Sequence, residues 1–208
     1  VMQRAGELSR RQFGALGVGA SVIALLPRAA NAAEVSESEV TIKTPDGECD
    51  AHFVHPVKGA HAAVLVWPDI FGLRPAFRTM GKRLAESGYS VLTVNPFYRV
   101  QKAPTAPPNP NFQDPATRES LMKLMGALNA TTNVTDATAF VAWLDAQRSV
   151  NKRRKIGTTG YCMGGPIVMR TAAALPKRIG AGASFHGGGL NTANPDSRRR
   201  LAFIAPSL

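Results

Sequence analysis

Between a short β-prone run, Lys155 to Thr159, and an apolar helical stretch, Gly164 to Ala174, lies the segment Gly160-Tyr161-Cys162-Met163-Gly164-Gly165. A chain that passes from strand to helix in so few residues has to turn sharply. Such a turn holds its central residue in the left-handed backbone region. The positions two before and two after it then face the neighbouring strand and helix at close range, and accept only residues with little or no side chain. Gly160 and Gly164 stand there. The central residue, Cys162, is thereby pointed out of the sheet at the first turn of a helix. The partial positive charge of a helix start favours an anionic sulfur, the reactive form of a thiol. A buried, inert cysteine beside packing glycines would share the motif, and the strand–turn–helix context argues against it.

The remaining elements complete the class. Glu39 to Thr44 and Cys49 to His55 alternate about Pro45-Asp46-Gly47 and predict a hairpin. Ala62 to Trp67 is continuously apolar, as expected of a central parallel strand covered on both faces. A helix from about Pro75 to Ser87, closed by Gly88, leads to a second buried strand from Tyr89 to Val94. That is strand–helix–strand at crossover length, which predicts parallel pairing. Five prolines between Ala103 and Pro115 predict a surface loop. Helices follow from about Ala116 to Ala127 and from about Val134 to Gln147, the second with Val134, Ala137, Phe140, Val141 and Leu144 on one face. Ile179 to Phe185 is the last strand. A chain of 208 residues has room for one core. The expectation is one α/β domain with a doubly wound, mostly parallel sheet.

The N-terminus precedes that domain. Ser9-Arg10-Arg11-Gln12-Phe13 leads into an apolar stretch from Gly14 to Leu26 and then the small-residue site Ala30-Asn31-Ala32. Charged, apolar, small is the layout of a cleaved export signal, and paired arginines before Phe resemble the twin-arginine type. The apolar stretch is 13 residues long, against the roughly 20 that span a bilayer, so no stable membrane anchor is expected. Residues 1–32 are therefore expected to be a signal peptide cleaved near Ala32. The twin-arginine export machinery is the partner, residues 33–208 the functional domain and the periplasm its destination.

The net charge of +11 falls by 3 to +8 once those residues are set aside. The rest gathers in Lys152-Arg153-Arg154-Lys155 and Arg198-Arg199-Arg200, without interleaved aromatics or a nucleic-acid-binding motif. No nucleic acid is expected as partner. Export implies an oxidising compartment, yet Cys49 and Cys162 lie outside any cysteine framework, so no disulfide is expected and Cys49 reads as a small buried hydrophobe. His52, His55 and His61 lack metal-ligand company and read as structural or exposed.

With Gly160 to Gly165 belong Trp67-Pro68-Asp69-Ile70-Phe71-Gly72-Leu73, Gly88-Tyr89, Asn95-Pro96-Phe97-Tyr98-Arg99 and Ser184-Phe185-His186-Gly187-Gly188. In these segments the chain resembles the dienelactone hydrolase family of the α/β-hydrolase superfamily. The resemblance implies an α/β-hydrolase fold and hydrolysis of small esters or lactones through a Cys-His-Asp triad, as by a carboxymethylenebutenolidase. It implies a small-molecule partner and neither metal nor organic cofactor. Cys162 would be the nucleophile, and the backbone N–H groups of Met163 and Ile70 the oxyanion hole. A family glutamate that holds the cysteine at rest is matched by Asp69, one methylene shorter and otherwise a loop-capping residue. Arg99 matches an arginine that binds the substrate carboxylate, and would otherwise be an exposed loop residue.

The chain also departs from this pattern. In the fold the acid and then the histidine follow the nucleophile, yet no Asp or Glu stands between Cys162 and His186. His186 is therefore expected to line the site or brace a loop, with the triad Asp and His absent from this chain. From Arg198 onward the resemblance is expected to fail, as in a truncated product lacking the C-terminal strands and helix, with impaired activity. Two other functions fit parts of the pattern: a non-catalytic small-molecule-binding module, and a thiol redox protein, the latter without a resolving cysteine near Cys162.

Overall fold

The computed structural model of the chain describes residues 32–190. A hairpin opens it, β1 (Val35–Thr44) and β2 (Gly47–Pro56), followed by β3 (Ala63–Trp67), α1 (Pro75–Glu86) and β4 (Ser90–Val94). Then come α2 (Pro115–Met125), α3 (Ala130–Ala146), β5 (Ile156–Tyr161), α4 (Gly164–Ala174) and β6 (Ile179–Phe185). The six strands form one sheet in the order β1-β2-β4-β3-β5-β6. β4, β3, β5 and β6 run parallel, while β2 pairs antiparallel with both β1 and β4. This is the mixed, mostly parallel α/β sheet expected from the sequence, with helices on both faces.

The parallel strands are apolar because both of their faces are covered. On one face α3 and α4 pack over Leu65, Trp67, Leu92, Ile156 and Ile179 through Phe140, Leu144, Ile167 and Val168. On the other, α1 seats Phe77 and Ala85 against Val54, Val66 and Val91. Each fully buried Leu, Ile or Phe in these layers contributes about 1.5–3 kcal/mol. From Ala181 onward β6, the sheet edge among the described residues, is mostly exposed.

Local chemistry sets the helix starts. Pro75 opens α1 at its first turn. The Asp114 carboxylate caps α2 by accepting the Thr117 N–H at 2.8 Å. α3 begins four residues before the expected Val134, because the Asn129 side chain and Thr132 form a reciprocal capping box. The expected apolar face of that helix needs one correction. Ala137, Phe140, Val141 and Leu144 are buried, whereas Val134 points to solvent.

Strand order positions the site. After β4 the chain crosses back over β3 to form β5, so β3 lies at the point where the winding reverses. In open α/β sheets ligands bind in the crevice at the carboxyl ends of the strands at such a point. The β3–α1 loop and the β5–α4 turn flank it. Residues 1–31 and 191–208 lie outside the described residues, and with them the expected export signal and the Arg198-Arg199-Arg200 run. Among the described residues no helix is long and apolar enough to cross a membrane.

Candidate active site

Cys162 has φ 52°, the left-handed conformation required of the centre of a sharp strand-to-helix turn. Its N–H donates to the Phe185 carbonyl at 3.0 Å, and its own carbonyl accepts the Gly165 N–H at 3.0 Å. The turn is therefore tied to β6 on one side and to α4 on the other. A Cβ on Gly160 would lie 2.6 Å from the Gly164 carbonyl carbon and 2.8 Å from Val168 Cγ2. One on Gly164 would lie 2.8 Å from the Pro68 carbonyl oxygen. All three distances are shorter than real Cβ contacts, so the two glycines let β5, α4 and the end of β3 meet backbone to backbone. Cys162 is half-buried, and its sulfur has no hydrogen-bond partner among the described residues.

Around the turn stands an aromatic wall. The Tyr161 ring stacks on Phe185 at 4.9 Å and meets the edge of Phe77 at 5.4 Å. His186, with φ 43°, lies 6.5 Å from the Tyr161 ring and is exposed. It makes no hydrogen bond to Cys162 among the described residues.

The facing loop follows β3. Ile70 and Met163 pack with Phe71 on one small cluster built on Phe97, Leu121 and Leu124, so the two residues named for the oxyanion hole share a support. Neither backbone N–H donates to a protein acceptor among the described residues. Beside Ile70, the Asp69 carboxylate is held by Arg74, with Nη1 at 2.7 Å and Nη2 at 2.8 Å, and it accepts the Phe71 N–H at 3.0 Å. Its side-chain hydrogen bonds lie within its own loop, and none joins it to the sulfur among the described residues. Arg74 escaped the sequence reading. Its only signal there was a cation five residues after an acid in a loop that must turn back on itself.

Arg99 is paired within the protein. Its guanidinium donates to Asp136 Oδ2 at 2.8 Å and Oδ1 at 2.7 Å, and its Nε donates to Asp46 Oδ2 at 3.0 Å. The Tyr98 hydroxyl donates to the same buried Asp136 at 2.7 Å. The fork is held by protein carboxylates, and Arg99 ties the hairpin turn to α3.

Cys49 is fully buried, and burial pushes its thiol well above the ordinary range. His55 Nδ1 is bonded to the Pro56 carbonyl and His61 Nε2 to that of Lys58. Among the described residues no three His, Cys, Asp or Glu are placed to hold a metal ion.

The family model for the dienelactone hydrolase family matches residues 49–204, three quarters of the chain. The chain belongs to the dienelactone hydrolase family. The match runs through Ile204, so it includes most of the stretch after Arg198 in which the resemblance was expected to fail. Carboxymethylenebutenolidase of Rhodococcus opacus is 28% identical over 59% of this chain and 43% of its own length. That of Pseudomonas putida is 28% identical over 64% and 55%. The chain thus spans about half the length of these curated relatives. Among solved structures, the dienelactone hydrolase of Anabaena variabilis superimposes with TM-score 0.55 at 18% identity, covering 74% of this chain and 64% of that one. A dienelactone hydrolase-like promiscuous phosphotriesterase from metagenomic libraries gives 0.61 at 21%, covering 78% and 63%. These two likenesses carry the family's fold.

Proposed function

We propose that the chain is a hydrolase of small esters or lactones that acts through an acyl-cysteine at Cys162. The observation that carries this is the joint geometry of the turn. Cys162 is held in the left-handed conformation at the start of α4, Met163 and Ile70 pack on one cluster beside it, and neither of their N–H groups is bonded to a protein acceptor among the described residues. Family membership and the names of the relatives support the hydrolysis of esters or lactones.

In the proposed reaction the Cys162 thiolate attacks the ester carbonyl carbon. The carbonyl oxygen becomes an oxyanion that accepts the N–H groups of Met163 and Ile70, each donor worth about 2.7–4 kcal/mol in the transition state. Collapse expels the alkoxide or phenoxide and leaves a thioester, which water then cleaves. That last step needs a base. Among the described residues no imidazole or carboxylate is bonded to the sulfur. Asp69, engaged by Arg74, is expected to act on the loop and not on the thiol.

We propose further that residues 1–32 direct export through the twin-arginine machinery, releasing a periplasmic domain of residues 33–208. Arg10 and Arg11 replaced together by Lys are expected to leave the precursor in the cytoplasm. Unchanged export, read by cell fractionation, would refute this.

The enzymatic proposal is tested by following phenolate release from p-nitrophenyl acetate with the wild-type chain and with Cys162→Ala. Release that depends on Cys162 is the expected result. If release is equal in both chains while a small ester still binds, the site is a binding module.

A further inference from the structure

The β3–α1 loop that carries the Ile70 N–H is fixed at both ends. At its start the Trp67 and Pro68 carbonyls back directly onto Gly164, the first residue of α4. At its far end Arg74 folds back across five residues onto Asp69 through two parallel hydrogen bonds of 2.7 and 2.8 Å. The bonded Oδ1 also takes the Phe71 N–H at 3.0 Å, and the Asp69 carbonyl takes the Gly72 N–H at 3.0 Å. Arg74 is itself oriented by the Phe77 ring, 4.7 Å below its guanidinium. Ile70 is thus the first of four residues, 70–73, enclosed by a turn that a planar, two-pronged ion pair closes.

We infer that Arg74 is a positioning residue for acylation: its grip on Asp69 holds the Ile70 N–H where the oxyanion develops. This rests on the hydrolase reading above and adds a side chain to it that touches neither sulfur nor substrate. An aimed donor works only while it stays aimed, and a misplacement of about 1 Å can cost about 100-fold in rate. A guanidinium suits the task because its fork fixes the carboxylate in plane as well as in distance, which an ammonium cannot do.

Two reagents for the same sulfur separate positioning from general support. Acylation by p-nitrophenyl acetate forms an S–C bond and an oxyanion, then breaks the C–O bond as p-nitrophenolate departs with the electron pair. Alkylation by iodoacetamide displaces iodide at a saturated carbon and builds no oxyanion. Arg74→Met keeps an apolar stem over Phe77 and loses the fork. It is expected to slow acylation of Cys162 by about 10- to 100-fold while changing alkylation by less than about 2-fold. Arg74→Lys is expected to fall between, and carries the same comparison should Arg74→Met not fold. Asp69→Asn is expected to match Arg74→Met, with the double variant little worse than either. Acylation and alkylation slowed alike, or acylation unchanged, would overturn the inference. A wild-type chain that is alkylated but never acylated would instead refute the hydrolase reading, and the role of Arg74 with it.

Discussion

Cys162 and Cys49 are the same side chain in environments that differ in everything controlling reactivity. Cys162 is half-buried on a turn at a helix start, while Cys49 is fully enclosed, its thiol pushed up by burial. Limited iodoacetamide treatment followed by peptide mass analysis is expected to label Cys162 first. Labelling of Cys49 before Cys162 would contradict the turn assignment. Gly160 leaves no room for a methyl group, so Gly160→Ala is expected to cost about 1–3 kcal/mol through overpacking, read by urea unfolding. Arg99 is held by two carboxylates, Asp46 and Asp136. Its removal strips two of three donors from the buried Asp136 carboxylate. Arg99→Met is accordingly expected to lose about 3 kcal/mol of stability. An unaltered unfolding midpoint, with weakened binding of anionic esters, would support the substrate-binding role that the resemblance implied.

At the scale of elements, the corner where α1 crosses β1 and β2 carries a pH dependence. His52 is buried there, its Nε2 3.4 Å from Glu37 and its Nδ1 without a partner. Lys82 and Arg78 on α1 bond Glu37 and Glu39. Burial holds His52 below its ordinary value of 6.5, against the pull of Glu39 and Glu37. The unfolded chain then takes up a proton that the folded one refuses, so stability falls as pH drops below about 6.5. Glu37 and Glu39 are held low by their bonds to Lys82 and Arg78, and their contribution is lost as pH falls through the ordinary carboxylate range. His52→Gln is expected to flatten the upper part of this slope, just below about pH 6.5, and to leave the lower part, as measured by urea midpoints across pH. The strands and helices themselves were legible because periodicity and turn chemistry report local structure. β3 and α4 fall within a residue of their expected bounds. The α3 start was missed because its capping box lies ahead of the apolar periodicity. The Arg74–Asp69 and Arg99–Asp136 pairs were illegible because side-chain pairing depends on where loops return, which no local pattern records.

At the scale of the whole molecule, the reversal of winding at β3 places the β3–α1 loop and the β5–α4 turn side by side, and the account depends on that adjacency. Cys162 came directly from the sequence, through the glycine spacing. Ile70 came only through the family resemblance, since it lies 92 positions before Cys162 and no local pattern links the two. The most direct test is the site and stoichiometry of acylation. The wild-type chain is treated briefly with p-nitrophenyl acetate, quenched in acid and mapped by peptide mass. The expected result is one acetyl group per chain, on the peptide carrying Cys162, absent from Cys162→Ala and retained in Cys49→Ala. Acetylation elsewhere, or none on Cys162 while iodoacetamide still labels it, would contradict the claim that this turn is a working nucleophile site.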